Sequence, residues 1–69
     1  MSEVRARVSA FDEHRGIGEV TTDTGDRFRF HCTAIADGSR AITVGAPVRF
    51  EVVAGRMGRY EATALRPPA

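Results

Sequence analysis

The chain has 69 residues, enough for one small domain with a modest core. A net charge of +1 gives no general attraction to nucleic acid, and one cysteine with two histidines argues against a disulfide staple or a tetrahedral metal site. No apolar run approaches the roughly 20 residues that span a membrane and no secretory leader opens the chain, so a reduced, cytoplasmic protein with no membrane partner is expected.

The first element is a strand. In "VRARVSAF", residues 4–11, Val4, Ala6 and Val8 alternate with Arg5, Arg7 and Ser9, which gives one buried and one wet face. "DEHRG" is a turn bounded by Asp12 and Gly16. "IGEVTT" is a second strand, whose Gly18 leaves room for a backbone or ligand to come close. After the turn "DTGD", the strand "RFRFHC" puts Phe28 and Phe30 on one face and Arg29 and His31 on the other. Period two assigns both rings to the core. "TAIADGSRAI" is the longest connection. A fourth strand runs from about Pro47 to Val53, with proline tolerable at its start. "RMG" is a tight turn and "RYEATAL" the last strand. Its Tyr60 is either a surface ring or a cover over the barrel's open end. "RPPA" cannot continue a sheet.

Five strands spaced by about ten residues, with no helix to cover an open sheet, predict a small closed all-β barrel. The domain is expected over residues 1–66, followed by a short Pro-rich tail, 67–69. No catalytic constellation emerges. His31 and Cys32 are strand neighbours and so point to opposite faces. Asp12 and Glu13, like Asp23 and Asp26, are explained by turn chemistry. A protein that is not an enzyme, with no cofactor and no metal, is expected.

The order of these pieces resembles the cold-shock domain, a five-stranded antiparallel OB-type barrel, from about Val4 to Leu65. "ARVSAFDEHRGIGEV" is similar to the family's opening strand, turn and first ribonucleoprotein motif. "FRFHCTAI" is similar to its second motif, and "VGAPVRFEVVAGRMG" to its fourth strand and the turn after it. In the family the two motifs lie side by side, and their outward rings stack single-stranded bases. Here most ring positions hold something else. Trp then Phe becomes Ala10 then Phe11, and Lys-Gly-Phe-Gly-Phe becomes Arg15, Gly16, Ile17, Gly18 and Glu19. The second motif becomes Arg29, Phe30, His31 and Cys32, and Arg40 is the nearest occupant of a further Phe position in the long connection.

Stacking a base on a ring is worth about 1–3 kcal/mol, so losing the rings at Ala10, Ile17, Glu19 and Arg29 removes about 4 kcal/mol, roughly a thousandfold in affinity. Glu19 would also repel phosphate unless Arg29 or Arg15 pairs with it. In return, every basic residue is arginine, whose planar fork binds phosphate and whose face stacks on bases. Outward arginines also simply keep a small barrel soluble.

The resemblance therefore implies weak, salt-dependent binding of single-stranded RNA or DNA, as by a stress-response RNA chaperone or a modulator of transcription or translation. The residues expected to carry it are Arg7, Phe11, Arg15, Gly16, Ile17, Gly18, Arg29, His31, Arg40 and Arg59. The alternative is a degenerate cold-shock domain that acts as a protein-interaction module through Ala10, Ile17 and Cys32. A monomer or weak dimer is expected. Glu19→Phe should tighten nucleic-acid binding and Arg29→Ala should weaken it under the first reading; neither should matter under the second.

Overall fold

A computed structural model describes residues 3–39, 41–55 and 58–68. Among them five strands, β1 (Glu3–Asp12), β2 (Ile17–Thr21), β3 (Arg27–His31), β4 (Pro47–Ala54) and β5 (Tyr60–Arg66), close in the order β1-β2-β3-β5-β4. The protein is an OB-type all-β barrel. Cys32 leaves the strand expected for it and opens a short 3-10 turn, Cys32–Ala34. No helix among the described residues is long and apolar enough to cross a membrane.

The ladders are antiparallel except β3–β5, which is parallel through Arg29 and Glu61. One parallel pairing is built into the expected five-stranded antiparallel barrel. The reason is parity: an odd number of strands cannot close into a ring with every neighbour reversed.

Val8, Val20, Phe30, Phe50 and Leu65 fill the centre and are almost wholly buried, with Ala6, Ile35, Val48 and Ala62 around them. Burying each large side chain contributes about 1.5–3 kcal/mol, which is the main force closing the ring. Phe28 is half-buried, its ring tilted against Phe50 at 5.6 Å.

Two irregularities set which residues face outward. In β1 the register passes from Val8↔Val20 to Ala10↔Glu19, so Ser9 is an extra, bulged residue. The bulge reverses the alternation. Phe11 therefore pairs with Gly18 on the inner face, and its ring stacks on Phe30 with centroids 5.9 Å apart and planes within 3°. Gly18 is bare to make room there: a Cβ would lie 2.5 Å from Phe30 Cζ and 2.7 Å from the Ala10 carbonyl oxygen.

In β5, Ala64 takes a left-handed conformation, φ 56°, where the register with β4 also slips. Ala62 and Leu65 can then both point inward although three residues apart.

The turn from β1 to β2 is fixed locally. Gly16, at φ 69°, donates its N–H to the Asp12 carbonyl (2.8 Å), and the Arg15 N–H donates to Asp12 Oδ1 (3.1 Å). In the long connection the Ser39 N–H donates to Asp37 Oδ1 (2.8 Å), which holds that carboxyl below its ordinary value. The two ends of the described chain meet beside β4, where Glu3 Oε2 lies 2.7 Å from Arg66 Nη2 and 3.1 Å from Arg49 Nη1.

Candidate nucleic-acid interface

Residues paired across a ladder share a face, so the register writes the outer surface of β1, β2 and β3 as rows. One row is Asp12, Ile17 and His31. The next is Ala10, Glu19, Arg29 and, across the parallel ladder, Glu61. A third is Arg7, Thr21 and Arg27.

Two depressions on this surface share Ile17, Glu19 and Arg29 and so form one groove. Its shallow end holds Ala10, Asp12 and Arg15. Its deeper end lies where the starts of β3 and β5 diverge, and is lined by Arg27, His31, Arg59 and Tyr60, with the half-buried Phe28.

Of the residues expected at the site, Arg15, Ile17, Arg29, His31 and Arg59 come together along this groove. Phe11 was expected outward; the bulge at Ser9 turns its ring inward to pack on Phe30, although the residue is half-buried and still borders the shallow end of the groove. Gly18 borders the shallow end, but its missing Cβ accommodates the Phe30 ring rather than a ligand. Gly16 serves the turn, and its N–H and C=O are taken by Asp12 and the Cys32 N–H. Arg7 does not line the groove; its Nη1 donates to the Gly45 carbonyl at 3.1 Å. Arg40 lies outside the described residues.

Arg27 and Tyr60 are among the groove residues missing from the sequence-based set. Arg27 shares the outward phase of Arg29, a signal already present in "RFRF". Tyr60 is 65% exposed and supplies the groove with an open ring.

The charges are arranged unexpectedly. Glu19 pairs with neither Arg29 nor Arg15. Its Oε1 accepts from Ser9 Oγ at 3.2 Å, and Thr21 Oγ1 donates to that same hydroxyl at 2.8 Å. Glu61, on the other side of Arg29, packs over Gly55, where a Cβ would lie 2.6 Å from its Cγ and Cδ. The ion pairs among the described residues join Glu3 and Glu51 to Arg49 and Arg66 only. Arg29 thus stands between two carboxylates and is bridged to neither.

A scan against models of known protein families finds no match, and a search among curated proteins finds no similar one.

Proposed function

We propose that the barrel binds single-stranded nucleic acid along this groove, weakly and mainly through arginine. The observation that carries the reading is Arg29. Its guanidinium sits at the centre of the groove, flanked in register by Glu19 and Glu61, yet makes no ion pair among the described residues. Arg15 lies towards one end, and Arg27 and Arg59 towards the other, a spread suited to successive phosphates. Tyr60 and His31 supply the flat surfaces on which bases stack. The reading is that of a cold-shock-type RNA or DNA binder whose stacking ring has moved from the β2–β3 face to the start of β5.

Fluorescence-anisotropy titration with labelled single-stranded RNA and DNA, over a range of salt, tests this. Arg15, Arg27 and Arg59 each neutralising a phosphate give a log–log salt slope of about −2, and Arg27→Ala should flatten it by about 0.7. Absence of saturable binding at low salt would sink the proposal and leave the protein-interaction module in its place.

A further inference from the structure

Glu19 is, with Asp12 and Glu61, one of the groove carboxylates that phosphate binding does not explain. A carboxylate repels phosphate, yet this one lies in the row that faces the proposed ligand. It is not consumed by Arg29, its cross-strand neighbour. Ser9 holds it instead: the hydroxyl's single proton is shared between the Glu19 carbonyl oxygen at 3.1 Å and Oε1 at 3.2 Å. Ser9 occupies that place because the β1 bulge inserts it between Val8 and Ala10. Among the described residues no donor reaches Oε2. The groove therefore presents a fixed acceptor beside an unbridged donor fork.

Bases differ in what they offer such a pair. Guanine presents two adjacent donors, N1–H and N2–H, and on its other edge two acceptors, O6 and N7. Uracil and thymine present one donor between two carbonyl oxygens, which a carboxylate repels. Adenine and cytosine set one amino group beside a bare ring nitrogen. Glu19 can only accept and Arg29 can only donate, so guanine alone gives Glu19 two adjacent donors while also giving Arg29 two adjacent acceptors; cytosine, whose N3 and O2 suit Arg29, gives Glu19 the N4 amino group alone.

We propose that Glu19 and Arg29 form a guanine-reading pair, so that the groove prefers single-stranded segments containing guanine. This rests on the nucleic-acid reading above. Ser9 is the positioning residue that keeps the pair from closing on itself.

The test is anisotropy titration of the full chain with labelled oligouridine strands whose central base is guanine, hypoxanthine, adenine, cytosine or uracil. Guanine should bind about tenfold tighter than uracil. Hypoxanthine, which lacks the N2 amino group, should fall between them. Glu19→Gln offers a donor and an acceptor and should move the preference towards adenine. Ser9→Ala frees the carboxylate to bridge Arg29 and should erode the guanine preference; circular dichroism verifies that both variants fold.

Equal binding of all five strands by the unaltered chain overturns the inference and leaves the nucleic-acid reading standing. Binding of none of them at low salt overturns that reading itself. A guanine preference that survives Glu19→Gln overturns the role given to Glu19. The hypoxanthine comparison needs no variant, so it decides the matter even where a substitution disturbs folding.

Discussion

Gly18 and Tyr60 show how much of the site is decided by single side chains. A methyl group at position 18 would collide with the Phe30 ring and with a backbone carbonyl, neither of which can step aside cheaply. Gly18→Ala should therefore destabilise the barrel by about 1–3 kcal/mol and lower its melting temperature by about 10 °C. A thermal melt followed by circular dichroism measures this. Tyr60 is the only tyrosine in a chain without tryptophan, so the protein's intrinsic fluorescence reports on that ring alone. Stacking of a base on it should quench the emission as an oligonucleotide saturates the groove. Tyr60→Leu should weaken binding by about thirtyfold, the middle of what one stacked base is worth.

At the scale of the element, strands that keep strict alternation were readable and those that break it were not. Val4, Ala6 and Val8 in β1, and Phe28 and Phe30 in β3, turn inward as period two requires. The bulge at Ser9 carries no such signature. A serine on a wet strand face looks the same whether or not its partner strand has a residue opposite. Phe11 was misplaced for that reason, because its phase is set by the count of residues on β2. The last strand was obscure for a related cause, since the left-handed Ala64 separates two inward residues by three. That conformation costs an alanine about 1–2 kcal/mol, of which glycine's looser unfolded chain returns about 0.5–1 kcal/mol. Ala64→Gly should therefore stabilise the barrel by about 0.5–1 kcal/mol, seen as a melting temperature several degrees higher. The groove was half legible: Arg29 and His31 follow from alternation, and Arg15 and Ile17 from the resemblance, whereas the tethering of Glu19 by Ser9 depends on the bulge.

At the scale of the molecule, six of the described arginines fall into two groups that composition could not distinguish. Arg49 and Arg66 are bound to Glu3 and Glu51, and Arg49 Nε also donates to the Pro67 carbonyl at 2.9 Å. Arg15, Arg27, Arg29 and Arg59 line the groove instead. Arg66→Ala should cost up to about 1 kcal/mol in a urea melt, the range for partly exposed ion pairs, and leave oligonucleotide affinity unchanged. Arg29→Ala should do the reverse. The two groups also occupy opposite ends of the strands. The groove uses the end of β1 and the start of β5, while the clasp uses the start of β1 and the end of β5. Because Glu3 and Arg66 touch, a short linker could join the two ends of the barrel. Opening the chain near Gly38 would then give a circular permutant, ordered β4-β5-β1-β2-β3, with no ladder unpaired. The same pole could carry a fusion partner or a tandem copy without obstructing the path of a bound strand.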